Sequence, residues 1–547
     1  MADFSALLSH ITALDARHVE PDLVPACPGF PLPKMYAGQG RAITELRQYQ
    51  SAVLKSPTGS GKTATFLTLT PGIPTMIIEP RKFLQKQVAS YRGDAIIFGR
   101  SEYPCHYAAN AGSAPCLRKI RCDRTDHAKE CEYATKECAK KPCQIFRRRV
   151  YKDGEDYTYD DRPDTGYSFV FQRYPCASCK YLDAVATAKG VIKHGGTIIC
   201  NFANFYQFLN DAELIIVDEA DLFFKEISSS KLIRSCKDPN MDISRMLTNE
   251  ITSVNQQMQT CTQMQYYGFR NDLYRLNFLL DVADLCFTYK KKEKVYVEIN
   301  PANVNLLKEH LFAGKRVIIV SATPGEFALP AVDYSIHQRC GIFFVPQGKL
   351  TARELKRQPW LLDNAGTFID QMSSIFDGIY GSKKFVVHCA NVGYHATHIR
   401  DQLDELASRN LKKGELPKSV CTLHEKGNLM GTMEKFLESD TRYLLIASGE
   451  YGADLSWCNC QFIVKFPYAS LDDRMRALER KVGKDAFDKF YTVDAISRFV
   501  QCCGRVGRGW DSFGATFVLD SKALEVYNRY SNAFPAWFKS RLIPEVF

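Results

Sequence analysis

Ser56-Pro57-Thr58-Gly59-Ser60-Gly61-Lys62-Thr63 follows an apolar run, Ala52-Val53-Leu54, and precedes Ala64 to Leu69. The run reads as a buried strand and the residues after the loop as a helix start, so the two glycines fall in a strand-to-helix turn. A loop that wraps phosphate needs that setting. Gly59 and Gly61 let the backbone turn its N–H groups inward, Lys62 can reach the β and γ oxygens, and the Thr63 hydroxyl can ligate magnesium. All eight residues from Ser56 to Thr63 are therefore expected to line a nucleotide site. Ser56 stands where the usual pattern has glycine, and a chance Gly-x-Gly-Lys-Thr in a surface turn is the competing reading. The rest of the chain decides between them.

At 547 residues the chain is too long for one core, and about three or four units are expected. The 45% hydrophobic and 24% charged content is that of a soluble fold. No apolar run approaches the roughly 20 residues that span a bilayer, so no membrane role is expected. Met1 to Leu14 carries Asp3 and no basic cluster ahead of its apolar residues. It does not read as a secretory signal, and an intracellular, soluble protein in a reducing compartment is the expectation. Net charge is +10, and much of it is local. Between Arg118 and Lys152 twelve Lys and Arg face five acids, a concentration that favours a phosphate-backbone partner over a merely solvated face.

A proline cluster at Pro28, Pro31 and Pro33 reads as a linker, followed by a helix from Ala42 to Gln50. Gln39 lies upstream of the phosphate loop, where a glutamine can read adenine. Beyond the loop, Thr75 to Ile78 reads as a strand stopped by Pro80, Arg81 to Tyr91 as a helix and Ala95 to Phe98 as a strand. Strand, helix, strand is the rhythm of a parallel α/β sheet.

That rhythm stops at Cys105. Eight of the 20 cysteines, namely Cys105, Cys116, Cys122, Cys131, Cys138, Cys143, Cys176 and Cys179, crowd into one polar, basic segment. Disulfides do not suit a chain without an export signal, and buried thiols do not gather in polar sequence, so metal ligation is the best account. Four thiolates can hold zinc or an iron-sulfur cluster, and eight could hold both.

The sheet pattern resumes at Thr197 to Cys200 and reaches Leu214-Ile215-Ile216-Val217-Asp218-Glu219-Ala220-Asp221. A buried strand here delivers acids to its C-terminal end, where ligands of such sheets bind. Asp218 is placed to hold magnesium, and Glu219 to orient and deprotonate an attacking water. Residues 225 to 312 read as a helical insertion with little strand signal. Arg316 to Val320 then leads into Ser321-Ala322-Thr323-Pro324.

A second α/β unit begins near residue 340, with strands at Lys384 to His388, Tyr443 to Ala447, Gln461 to Lys465 and Ala515 to Leu519 and no phosphate loop of its own. Within it, Gly449-Glu450-Tyr451-Gly452-Ala453-Asp454 brings flexible glycines and an acid after a strand, with Gly452 and Asp454 as candidate nucleotide contacts. Gln501, Arg505 and Arg508 recur at i, i+4 and i+7, one face if helical. Two arginines aimed at the phosphate loop would stabilise γ-phosphate charge during hydrolysis.

In their order these stretches resemble the iron-sulfur superfamily 2 DNA helicases of the XPD and DinG type, from about Gln39 to Asp520. Ser56 to Thr63 looks like motif I, Glu79-Pro80-Arg81 falls where motif Ia does, and Val217 to Asp221 looks like motif II. Ser321 to Thr323 looks like motif III, Gly449 to Asp454 like motif V and Gln501 to Arg508 like motif VI. The cysteine segment between motifs Ia and II, and the insertion between motifs II and III, occupy the slots of the family's cluster and arch.

The resemblance implies two RecA-like parallel-sheet motor domains, the first from 1–104, 180–224 and 313–335, the second from 336–547. It also implies an iron-sulfur module at 105–179 and an arch-like helical insertion at 225–312. It further implies ATP and magnesium, a 4Fe-4S cluster, single-stranded and forked DNA as partner, and 5′ to 3′ translocation. Cys105 and Cys179 match the first and last family ligands, while the middle two stay open among Cys116, Cys122, Cys143 and Cys176. The unused four are left for zinc or for no metal. The family usually has His where Asp221 stands, a difference that could alter coupling to nucleic acid. An RNA helicase, and a nucleic-acid-stimulated ATPase that remodels a complex without unwinding, are the alternatives.

Overall fold

The computed structural model describes residues 4–16, 22–57, 59–80, 82–92, 95–99, 103, 150–152, 155–157, 180–260, 263–323, 327–336, 338–389, 392–409, 418–425, 429–447, 455, 457–507 and 512–543. The chain divides into two compact units, one of Met1–Phe66, Val320–Ser470 and Gly483–Phe547, the other of Leu67–Ile319 and Leu471–Val482.

In the second of these units, parallel strands run in the order Arg316–Ser321, Leu214–Val217, Thr75–Ile78, Thr197–Cys200, Ala95–Ile97. Every residue of the three middle strands is buried, as continuous apolar runs such as Leu-Ile-Ile-Val must be in a parallel sheet covered on both faces. Pairing of Ile78 with Val217 brings the next residues, Glu79 and Asp218, out together at the C-terminal ends of neighbouring strands.

The insertion departs from its reading as helical. Ile243–Thr260 and Gln263–Asp281 are long helices, but Lys231–Ile233, Lys294–Ile299 and Cys286–Lys291 form a three-stranded antiparallel sheet. Lys294-Val-Tyr-Val-Glu-Ile alternates with the period of a strand. The turn before it, Lys292-Glu293, takes positive φ at 46° and 60° without a glycine to announce it. A helix from late in the chain, Asp473–Val482, packs on this sheet. Arg474 Nε there donates to both oxygens of Glu298, 2.7 Å from each, and Glu298 is fully buried. Of the segment 105–179, the described residues form one short hairpin, Val150–Lys152 against Glu155–Tyr157.

The other unit holds a six-stranded parallel sheet in the order Arg339–Gly348, Phe513–Asp520, Cys460–Ile463, Phe385–Cys389, Tyr443–Ala447, Cys421–Leu423. The opening helix Phe4–Asp15 sends Leu7, Ile11 and Leu14, spaced to share one face, into the core around Phe343, Val345 and Leu361. Arg339 Nη1 donates to the Asp15 carbonyl at 3.0 Å near that helix's end. The same unit contains a parallel pair, Ala331–Asp333 beside Ser51–Lys55, with Val332 opposite Leu54. Two parallel α/β sheets, the expected RecA-like fold class, are thus present. Among the described residues no helix is long and apolar enough to cross a membrane.

Candidate nucleotide site

Ser51–Lys55 ends at Ser56, and a helix begins at Lys62, as the apolar run and glycines required. Gly59 and Gly61 both have φ of +79°, a left-handed conformation that residues with a Cβ rarely adopt. At Gly61 a Cβ would also lie 2.7 Å from Gln39 Nε2. Lys62 Nζ donates to the loop's own carbonyls, Ser56 O at 3.1 Å and Pro57 O at 3.0 Å. The helix start brings Thr63 next in line, and Thr58 lies outside the described residues.

The serine at the first loop position has a structural use. Ser56 Oγ and Ser60 Oγ are 2.5 Å apart, and Ser56 Oγ also donates to the Tyr334 carbonyl at 2.9 Å. Ser60 Oγ donates to Pro57 O at 2.7 Å, so the hydroxyls brace the loop from within. Gln39, only 2% exposed, is bound to the same loop. Its amide donates to Gly61 O at 3.0 Å and Thr65 Oγ1 at 3.2 Å, while its oxygen accepts from Tyr36 N at 2.8 Å.

Asp218 and Glu219 follow Leu214–Val217 as expected. Glu219 is the first-turn cap of the helix Ala220–Ile227 at φ 46°, ψ 50°, the left-handed region. Its N–H donates to Asp218 Oδ1 at 2.9 Å, and its carbonyl accepts from Leu222 N at 2.8 Å. Beside them, Glu79 is fully buried and no donor reaches either of its carboxyl oxygens. Burial above all, and then the Asp218 and Glu219 charges, hold the Glu79 carboxyl well above the usual range. The two carboxyls can share a hydrogen bond only when one of them carries a proton.

The helix carrying Gln501 runs from Lys484 to Cys503 and stops at Gly504. Gln501 is therefore on the helix, whereas Arg505 lies in the turn after it, its N–H bonded to Cys502 O at 3.2 Å. The single-face helical reading of Gln501, Arg505 and Arg508 fails for this reason. Gly504 ends the helix, and Gly507, at φ +62°, keeps it from resuming. Gln461 Nε2 holds the helix end through Cys502 O at 2.9 Å, and Arg505 is buried. Gln501 Nε2 donates to Thr323 Oγ1 at 2.9 Å, and Trp537 Nε1 to Ala322 O at 3.1 Å. The stretches around Gln501 and Ser321 to Thr323 are thus in direct contact.

Arg508, Gly452 and Asp454 lie outside the described residues, as do Cys105, Cys116, Cys122, Cys143, Cys176 and Cys179. Among the described residues no group of acids, histidines and cysteines has the arrangement of a metal site. The cysteines there are of another kind. Cys200 and Cys389 are fully buried and burial raises their thiols, while Cys286 and Cys458 are pushed up to about 12. Such thiols pack as small apolar groups.

Sequence reasoning missed Tyr334 and Thr65, and it placed Glu79 in the motif Ia position without giving its carboxyl a role. The serine at position 56 was the one hint of Tyr334, since a hydroxyl in place of glycine requires a partner.

Residues 396–541 match the family model described as the helicase C-terminal domain. Over those residues, about a quarter of the chain, it is similar to the C-terminal domain of helicases. No curated protein matches in sequence. Among solved structures, an XPD helicase is similar at 12% identity and TM-score 0.49, over 92% of this chain and 96% of that one. S. tokodaii Xpd4 is similar at 12% and 0.47, over 92% and 98%. Helicase Lhr of Mycobacterium smegmatis, bound to single-stranded DNA and AMP-PNP, is similar at 12% and 0.36, over 91% of this chain and 48% of that one.

Proposed function

We propose that the chain is an ATP-dependent DNA helicase that moves along single-stranded DNA, 5′ to 3′, and opens duplexes. The observation that carries this reading is the phosphate loop: two left-handed glycines, a lysine on the loop carbonyls and a helix starting at Lys62. In this reading Ser56 to Thr63 surround the phosphates, and Thr63 and Asp218 would hold a magnesium ion, which supplies charge neutralisation for the leaving phosphates. Glu219 takes the proton of the attacking water. Arg505 and Arg508 meet the charge that develops on the γ-phosphoryl group, and Gln501, Gly452 and Asp454 complete the site.

Motor domains at 1–104 with 180–224 and 313–335, and at 336–547, and an arch at 225–312, are part of the same proposal. So is an iron-sulfur cluster in 105–179. The donor set suits one, since eight thiols sit in a polar segment while the thiols described elsewhere are almost all buried core groups.

The test is ATPase activity with and without single-stranded DNA or RNA, beside strand displacement on substrates with a 5′ or a 3′ tail. Stimulation by DNA and opening of 5′-tailed duplexes are expected. Lys62→Ala should abolish hydrolysis in a folded protein. Stimulation by RNA alone would instead favour the RNA helicase suggested by Asp221, and ATPase without displacement the remodelling reading. Iron content and visible absorbance of anaerobically purified protein test the cluster.

A further inference from the structure

Tyr334 follows the short strand Ala331–Asp333, which lies parallel to Ser51–Lys55, the strand that feeds the phosphate loop. Its N–H donates to Lys55 O at 3.3 Å, its carbonyl accepts from Ser56 Oγ at 2.9 Å, and its hydroxyl donates to Ser60 O at 3.1 Å. One residue thus holds the loop at its entry and again at its fifth position. Thr65 Oγ1 lies 3.0 Å from the same hydroxyl and joins it to Gln39. The side chain is 6% exposed, and burial raises its phenol, so the proton needed for donation stays in place.

Peptide geometry gives this contact a consequence. In a trans peptide the carbonyl of one residue and the N–H of the next point in opposite directions. Tying Ser60 O to Tyr334 therefore turns the Gly61 N–H to the other side, and tying Gly61 O to Gln39 does the same for the Lys62 N–H. Those are two of the amides a phosphate loop offers its anion.

We propose that Tyr334 is a positioning residue for nucleotide binding, aiming the loop's amides through its hydrogen bond to Ser60 O. The proposal rests on the nucleotide reading of Ser56 to Thr63. Gln39 shares the task through Gly61 O and the same Thr65 hydroxyl.

The experiment compares full-length wild type with Tyr334→Phe, which keeps the ring and removes the hydroxyl. A fluorescent ATP analogue and ADP are titrated in the presence of magnesium. Loss of one or two buried hydrogen bonds weakens binding of both by about 5- to 30-fold, with kcat at saturating ATP changed much less. Thr65→Val should weaken binding as well, and the double variant should lose less than the product of the single losses, because the two hydroxyls share a bond. This coupling separates positioning from general destabilisation, and Thr65→Ser should restore it.

Tyr334→Phe binding within twofold of wild type overturns the proposal while leaving the nucleotide site intact. Multiplicative losses in the double variant overturn it too. Wild type that binds no nucleotide overturns both this and the function proposed above. Should Tyr334→Phe not fold, the Thr65→Val and Thr65→Ser pair carries the test, with equal affinities overturning the proposal.

Discussion

Gln501 donates its amide to the Thr323 hydroxyl at 2.9 Å, although the two lie 178 residues apart in sequence. Both are buried, at 6% and 4% exposure, so neither group has easy access to water if the other is lost. Thr323→Val keeps the shape of the side chain and removes the acceptor. An unsatisfied buried amide costs roughly 1–3 kcal/mol, and we expect a loss of that size in chemical denaturation. Gln501→Leu in the same background should add little. Additive losses would show that the two do not act as a pair.

Glu219 sits at φ 46°, where a side chain is strained and glycine is not. A carboxylate held in a costly conformation beside Asp218 is what a functional position looks like when stability yields to chemistry. Glu219→Gly should match or exceed wild type in stability by up to about 1 kcal/mol, while ATP hydrolysis falls to background. Glu219→Gln should keep the strain, bind ATP and hydrolyse it very slowly. Full hydrolysis by either variant would move the base to another residue.

Much of this was legible in the sequence because the signals are local. Continuous apolar strands at Thr75–Ile78 and Leu214–Val217, glycines at 59 and 61, and acids after Val217 each declare their structure within a few residues. What escaped lies in contacts between distant segments. Tyr334 carries no pattern of its own, and its role exists because Ala331–Asp333 returns beside Ser51–Lys55. The reading of Gln501, Arg505 and Arg508 as one helical face extended a periodicity through Gly504, where backbone preference ends the helix. In the insertion, lysines around Lys292-Glu293 hid a hairpin whose alternation of Val295 and Val297 was present all along.

Within the insertion's unit, the Arg474 guanidinium grips Glu298, which also accepts from Ser230 Oγ at 2.8 Å. A carboxylate with no exposure depends on those donors. Arg474→Met should therefore cost about 3–5 kcal/mol, whereas replacing the pair together with apolar residues should cost far less. Thermal unfolding of the single and paired variants decides it, and equal losses would mean that the packing of the helix matters and the charge does not.

Glu79 and Asp218 leave neighbouring strands side by side, and only one of these carboxyls is wholly enclosed. Burial, followed by the Asp218 charge, raises the Glu79 carboxyl well above the ordinary glutamate value of 4.5. The unfolded chain releases that proton near the ordinary value, whereas the folded chain retains it to higher pH. The folded state therefore binds more protons, and by linkage its stability declines as pH rises from the unfolded value through the folded one. Below the ordinary value Glu79 is neutral in both states and contributes no slope. Glu79→Gln is neutral throughout and presents an amide donor to Asp218. Its melting temperature relative to wild type should accordingly rise between pH 5 and pH 8, with the two proteins most alike at the acid end. Glu79→Leu, which fills the space without a donor, should share the flatter pH profile and lose the contact with Asp218. Melting curves for wild type and Glu79→Gln that stay parallel across this range would show that Glu79 titrates as an ordinary carboxylate, and that its enclosure is relieved before the proton matters.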